Sequence, residues 1–175
     1  RLSATLLKFN AEAGTKFTTG TDAQTLLRDF QSPKTLEVPF ARSKPQSVRK
    51  LTPAEWREWA EIRKFFIPGG TGIPKFATTA WMTHDQSHLY IAVKCMESRR
   101  KPIIGNANIW DDDGIELWFQ RPANGQTVQL LANAAGQLQV RDNGHILTDS
   151  GVDVKFRQTP GDSYYLFVSI PFQFL

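Results

Sequence analysis

Residues 108–119 concentrate side chains that could bind or transform a polar ligand. This stretch holds two tryptophans, Trp110 and Trp118, and four carboxylates within twelve residues. A sugar ring offers an apolar C–H face that packs on an indole, and hydroxyls that need charged or amide partners. Trp110 and Trp118, together with Glu116 and the amide of Asn133, therefore form a candidate sugar-binding set.

The acidic residues in this stretch allow other interpretations. Asp111, Asp112 and Asp113 could hold calcium, but oxygen ligands from adjacent residues diverge, and the pattern favours a solvated turn in which Asp113 holds the turn into the next strand. Asp112 and Glu116 could be the paired carboxylates of a glycosidase, although the sequence does not fix their separation. Trp118 could equally be ordinary packing under a second sheet.

The other reactive residues give no recognised catalytic pattern. The three histidines, His84, His88 and His145, have no metal-ligand spacing, and no serine or cysteine lies in a nucleophile motif. Cys95 is the chain's single cysteine and alternates with apolar residues, so we expect a buried thiol with no disulfide or metal role. The prediction is a protein that is not an enzyme.

A strand is expected to position the candidate site. Ile115, Leu117 and Phe119 alternate with Glu116, Trp118 and Gln120, which is the period of a half-buried antiparallel strand. We predict a central strand that buries the first set in the core and places Glu116 on the opposite face.

Most of the chain repeats this strand pattern. Residues 77–84 and 88–96 form a predicted hairpin around Asp85, with Leu89, Ile91, Val93 and Cys95 facing inward. Further strands are expected at 127–133, 137–140, 152–157 and 164–170, with a two-residue turn at Asn143 and Gly144. Short strands are also expected at 2–9, 25–30 and 35–40.

One helix interrupts the strands. Thr52, Pro53 and Glu55 make an N-terminal capping pattern, which predicts a helix over residues 53–66 in which Trp56 and Trp59 are packing residues. The expected fold is all-β, a two-sheet antiparallel β-sandwich of immunoglobulin or jelly-roll type with this one short helix. Residues 46–175 would form the sandwich, and residues 1–45 would be extra strands or the remnant of a neighbouring domain.

Composition limits the classes of partner. The chain has 175 residues, 41% of them hydrophobic, and a formal net charge of +4 from scattered basic residues. A dedicated nucleic-acid binder usually concentrates its basic residues, so no nucleic-acid partner is expected. No stretch reaches the roughly 20 apolar residues of a membrane span, and the first residues have no signal-peptide pattern.

Four short motifs in order carry a family resemblance. They are the strand ending at His84-Asp85, the strand 88–95, the stretch 110–119, and Leu130-Leu131-Ala132-Asn133 followed by Gly136. Over residues 51–172 the chain resembles the family 9 carbohydrate-binding modules and their wider relatives, the dopamine-β-monooxygenase-type sandwich domains. The family's basic sugar contact falls at Leu131 here, and its second clamp tryptophan would lie beyond Leu175.

The resemblance implies a non-catalytic sugar-binding module. Trp110 would be one wall of an aromatic clamp, while Glu116 and Asn133 would bind sugar hydroxyls. Such a module would be an accessory of an exported polysaccharide-active protein, located outside the cell, in the periplasm or on the cell surface. The alternatives are a structural or interaction domain of a larger secreted protein, and a haem-binding relative using Met82 or Met96 with a histidine. No cofactor is expected, with calcium left open.

Overall fold

The structure is a computed structural model that describes residues 36–42, 45, 53–63, 76–96, 105, 108–121, 124–159 and 163–175. Within these residues the chain forms one α-helix, two 3₁₀-helices and nine strands. The helices are α1 (Pro53–Trp56) and the 3₁₀ turns Ile109–Asp111 and Phe172–Phe174. The strands are β1 (Ala60–Ile62), β2 (Thr78–His84), β3 (His88–Met96), β4 (Gly114–Gln120), β5 (Thr127–Asn133), β6 (Leu138–Asp142), β7 (His145–Leu147), β8 (Asp153–Gln158) and β9 (Ser163–Pro171).

The strands form two sheets that pack face to face. The larger sheet has the order β1-β2-β3-β9-β8, and the smaller has the order β4-β5-β6-β7, with every neighbouring pair antiparallel. One main core lies between them, built from Met82, Ile91 and Val168 of the larger sheet and Leu130 and Val140 of the smaller. The predicted two-sheet antiparallel β-sandwich is confirmed.

The β2–β3 hairpin is confirmed at its predicted position, and its turn is fixed by one carboxylate. Asp85 Oδ1 accepts hydrogen bonds from the backbone N–H of Ser87 at 2.7 Å and of His88 at 2.8 Å, and Oδ2 accepts from the Tyr90 hydroxyl at 2.6 Å. Burial raises the pKa of Asp85, but these bonds outweigh burial and hold it below its usual value. The turn is therefore best held when Asp85 is ionised.

The inward face of β3 is also as predicted. Leu89, Ile91, Val93 and Cys95 are buried in the main core. Cys95 is a free thiol with 8% of its surface exposed, and burial raises its pKa to about 11, against smaller lowering effects of hydrogen bonds with Tyr164 and Thr78. The thiol is thus buried and mostly protonated at neutral pH, while its lack of a metal role stays a prediction.

The predicted helix over 53–66 is wrong beyond Trp56. Helix α1 has only four residues, and residues 60–62 form strand β1, which pairs with β2. Ile62 packs against the main core, whereas Trp56 and Trp59 pack on the opposite face of the larger sheet against Tyr90, Ala92 and Phe167. The apolar residues serve two faces of a sheet, which is why they did not follow one face of a helix. Residues 64–66 lie outside the described part of the chain.

The side chains of strand β4 face the predicted sides, but the strand is not central in its sheet as predicted. Ile115, Leu117 and Phe119 are half-buried and pack against the main core, and Glu116 lies on the opposite face. In the described part of the smaller sheet β4 stands at the end of the strand order, paired with β5. Alternation reports which face is buried and carries no information on how many neighbours a strand has.

The local backbone explains the residue type at three positions. Asn143 and Gly144 both have positive φ, 48° and 87°, as a two-residue hairpin turn between β6 and β7 requires. At Gly114 a Cβ atom would lie 2.5 Å from the carbonyl oxygen of Ala132, so the close approach of β4 and β5 needs glycine there.

The segment before the helix contacts the sandwich. Phe40 forms an isolated parallel bridge with His84, and Thr83 Oγ1 donates to the carbonyl oxygen of Pro39 at 2.8 Å. The strand predicted at 35–40 is thus reduced to a single bridge in its described part. Residues 1–35, with the strands predicted at 2–9 and 25–30, lie outside the described residues, and the domain boundary near 45 stays a prediction.

Candidate functional site

The face of the smaller sheet turned away from the core gathers polar side chains from three strands. Cross-strand pairing aligns Trp118 with Gln129 and Arg141, and the next row aligns Glu116 with Leu131 and Gln139. Successive side chains on a strand point to opposite sides, so these residues share the side opposite Leu117, Leu130 and Val140. We call the following set the outer face of the smaller sheet: Glu116, Trp118, Gln129, Leu131, Gln139 and Arg141.

Glu116 is held in place on this face. The Gln129 Nε2 amide donates a hydrogen bond of 2.6 Å to Glu116 Oε1, a charge-assisted contact between neighbouring strands. Gln129 is 8% exposed and Glu116 is half-buried, whereas the indole of Trp118 is 36% exposed. An oriented carboxylate therefore lies on the same face as an accessible aromatic ring.

Gln139 adds an acceptor to this face. Its Oε1 atom is buried and has no hydrogen-bond partner in the part of the chain that the structure describes. A buried acceptor without a partner costs about 1–3 kcal/mol, so a ligand hydroxyl that donates to it would be favoured. Arg141, half-buried, is aligned with Gln129 on the same face.

Sequence reasoning missed three residues of this face: Gln129, Gln139 and Arg141. A signal was present, because in both strands these polar residues alternate with residues of the main core, Leu130 and Val140. The polar set was not recognised as a site because only the sheet register aligns it with Glu116 and Trp118.

Asn133 lies at the base of the loop that precedes β4. It is fully buried; its Nδ2 donates to Asp112 Oδ2 at 2.7 Å and to Gln137 Oε1 at 2.6 Å, and its Oδ1 accepts from the N–H groups of Ala135 and Gln137. These four bonds use both amide hydrogens and both acceptor positions. The side chain connects loop 108–113 to the β5–β6 turn, and a direct contact with sugar stays a prediction.

Trp110 can be placed only through its backbone, which forms the 3₁₀ turn Ile109–Asp111; its side chain lies outside what the structure describes. Of the four predicted site residues, Glu116 and Trp118 share one face. Asn133, the last residue of β5, pairs with Gly114, the first residue of β4, which follows the loop that carries Trp110.

The acidic run contributes to the loop. Asp112 accepts the Asn133 amide, and the carbonyl oxygen of Asp113 accepts the N–H of Ala134 at 2.7 Å. Among the described residues no group of three or more histidine, cysteine, aspartate or glutamate side chains could hold a metal ion. Met82 is a core residue with 2% exposure, and Met96 lies at the far end of β3. The expectations on calcium and haem stay untested.

Comparison with known proteins identifies the fold. No protein-family model and no curated protein matches this chain. Among solved structures, it is similar to a family 9 carbohydrate-binding module from Caldicellulosiruptor kristjanssonii in complex with glucose, with a TM-score of 0.58, 11% identity, and coverage of 77% of this chain and 68% of that one. The chain shares its fold with family 9 carbohydrate-binding modules.

Two further solved structures are similar to this chain in fold. The same kind of module from C. kristjanssonii in complex with cellotriose gives a TM-score of 0.57 at 12% identity, covering 77% of this chain and 66% of that one. A proposed carbohydrate-binding protein from Bacteroides uniformis gives 0.57 at 14% identity, covering 78% and 72%. At these identities the likeness concerns the fold, and the wider assignment to dopamine-β-monooxygenase-type sandwiches stays a prediction.

No helix within the described residues is long and apolar enough to cross a membrane.

Proposed function

We propose that this chain is a non-catalytic carbohydrate-binding module whose sugar site is the outer face of the smaller sheet together with the adjoining loop 108–113. The observation that carries the proposal is the convergence on one face of the exposed Trp118 ring, the oriented Glu116 carboxylate and the buried Gln139 oxygen, which has no hydrogen-bond partner among the described residues. Aromatic, carboxylate and amide groups together match the C–H face and hydroxyls of a sugar.

The fold likeness supports the same interpretation, because two of the similar structures hold glucose or cellotriose. Arg141 would compensate for one of the two departures from the family pattern, the leucine at position 131. Leu131 stands where the family has its basic sugar contact, but Arg141 supplies a guanidinium to the same face from the neighbouring strand. In this proposal Arg141 binds a sugar hydroxyl, and Asn133 holds the loop that carries Trp110.

The sugar contacts would divide between the sheet and the loop. Trp118 and Trp110 would pack on the ring, and Glu116 would accept hydroxyl hydrogens. We propose a mono- or oligosaccharide as ligand, and millimolar affinity, on the order of −4 kcal/mol. The setting would be an exported polysaccharide-handling protein in which this module accompanies other domains.

The test is a glycan array followed by calorimetry with mono- and disaccharides. Trp110→Ala should nearly abolish binding, because truncating an aromatic anchor commonly costs at least roughly 2 kcal/mol, more than tenfold in affinity. Trp118→Ala should weaken binding by a similar factor. Glu116→Gln should weaken it less, since the amide keeps an acceptor oxygen and loses only the charge-assisted bond.

Phe40→Ala is the matched control, because Phe40 is 55% exposed and lies beside His84 on the larger sheet, away from the outer face of the smaller one. It should leave sugar affinity unchanged. If no glycan binds, or if the tryptophan variants bind as well as the wild type, the second candidate, a structural or interaction domain, takes precedence.

A further inference from the structure

A second aromatic surface lies on the opposite side of the sandwich, on the outward face of the larger sheet. Three of the chain's five tryptophans meet there. They surround an open pocket of about 330 Å³, at the lower end of the usual range for small-ligand sites. The pocket is lined by Trp56, Arg57, Trp59, Glu61, Arg63 and Trp81.

The rings are packed against one another, and one indole N–H among them is buried. Trp56 contacts the ring of Trp81 at 4.7 Å between centroids and that of Tyr165 at 5.3 Å. Its Nε1 atom is buried without a hydrogen-bond partner in the described part of the structure. The indole N–H can only donate a hydrogen bond, so a buried one requires an acceptor. The packing of the rings does not supply that acceptor.

The described side chains that line the pocket carry more positive than negative charge. Arg57 and Arg63 are exposed, and Glu61 is the one acid among the lining residues that the structure describes; its Oε2 accepts from Arg63 Nε at 2.8 Å. A guanidinium has five N–H donors in a planar fork, so this single contact leaves Arg63 able to bind a second carboxylate. Two cations face one anion at the rim.

Basic side chains continue beyond the rim. The Nζ of Lys94 lies 5.8 Å from the centre of the Tyr165 ring, and the guanidinium carbon of Arg157 lies 6.0 Å from it. Tyr165 in turn contacts Trp56, so the positive surface is continuous with the aromatic pocket. A positive surface of this kind concentrates anionic ligands.

We propose that this pocket binds an acidic sugar residue, such as a hexuronate in a polysaccharide. The apolar C–H face of the ring would pack on the indoles, a ring or hydroxyl oxygen would accept the Trp56 N–H, and the carboxylate would bind Arg57 and Arg63. Neutral sugar would satisfy the indoles but would offer no carboxylate to Arg57 and Arg63. This site is separate from the proposed sugar site on the smaller sheet and does not depend on it.

The experiment is calorimetric titration of the whole chain with trigalacturonate, using neutral cellotriose as the matched probe. Arg57→Gln should weaken trigalacturonate binding about tenfold, the usual loss for one charge-assisted bond. Trp56→Phe keeps a smaller aromatic ring and removes the N–H, and should weaken binding severalfold. Glu61→Gln should strengthen binding, because it removes the carboxylate that pairs with Arg63.

The opposite signs at Arg57 and Glu61 separate a binding role from a structural one, since damage to the fold would weaken binding in every variant. Arg42→Gln, an exposed cation outside the pocket, should leave binding unchanged. Binding should also fall as salt rises, and excess cellotriose should not compete. The proposal is overturned if trigalacturonate does not bind, if cellotriose displaces it, or if Arg57→Gln binds as tightly as the wild type. None of these outcomes depends on whether the smaller sheet binds neutral sugar.

Discussion

Asn133 provides the sharpest test of how the loop before β4 is held. Its buried amide makes one hydrogen bond to a carboxylate, Asp112, and three to neutral groups of the turn at 135–137. A net contribution of about 1.5–3 kcal/mol for the charged bond and about 0.5–1.5 for each neutral one sums to roughly 3–7 kcal/mol. Ala135 and Gln137 are exposed, so water can replace part of the loss, and we expect Asn133→Ala to cost about 3 kcal/mol.

The assay is urea and thermal unfolding. For a chain of this length a loss of that size lowers the melting temperature by about 6–12 °C. Asn124→Ala is the control, because Asn124 makes the same type of turn contact, with Gln126, but is exposed; its cost should stay below about 1 kcal/mol. Asn133→Asp should also destabilise the fold. It replaces the amide N–H donors with a carboxylate oxygen, which can only accept, next to the acceptor oxygens of Asp112 and Gln137.

The reasoning fails if Asn133→Ala and Asn124→Ala cost the same. It also fails if Asn133→Ala lowers sugar affinity while leaving stability unchanged, because that result would make the amide a ligand contact rather than a support for the loop.

Three other predictions concern stability and reactivity. Cys95, with its pKa raised to about 11 from 9.0, should react with a thiol reagent at pH 8 roughly a hundredfold more slowly than an exposed cysteine, and fast labelling of native protein would contradict its burial. Asp85→Asn should cost about 1 kcal/mol at pH 7. Because the folded pKa of Asp85 lies well below the unfolded value near 3.8, its contribution is fully present above 3.8 and is lost as pH falls through the folded pKa; the difference in unfolding free energy between the two proteins should be constant from pH 7 to about pH 5 and shrink progressively below pH 3.8. Gly114→Ala should cost roughly 1–3 kcal/mol in urea unfolding because its Cβ would collide with the backbone of Ala132, and a neutral result would contradict the close approach of β4 and β5.

The sequence alone determined the features that depend on local geometry. Period-two alternation placed Ile115 and Leu117 in the core and Glu116 opposite, and the same pattern predicted the inward face of β3 down to Cys95. The pair Asn143-Gly144 predicted a turn because few residue types accept positive φ. These predictions succeed because the backbone of a single strand or turn enforces them without reference to the rest of the chain.

Tertiary structure decided which elements meet. Residues 60–62 form a strand because the edge of β2 offers backbone partners, which no capping signal at Pro53 could reveal. Likewise, Gln129, Gln139 and Arg141 join Glu116 only through the pairing of β4, β5 and β6, and Asn133 supports the loop because the turn at 135–137 closes around it. Register comes from the backbone hydrogen bonds between paired strands, and the alternation within one strand does not reveal which residue of its partner lies opposite.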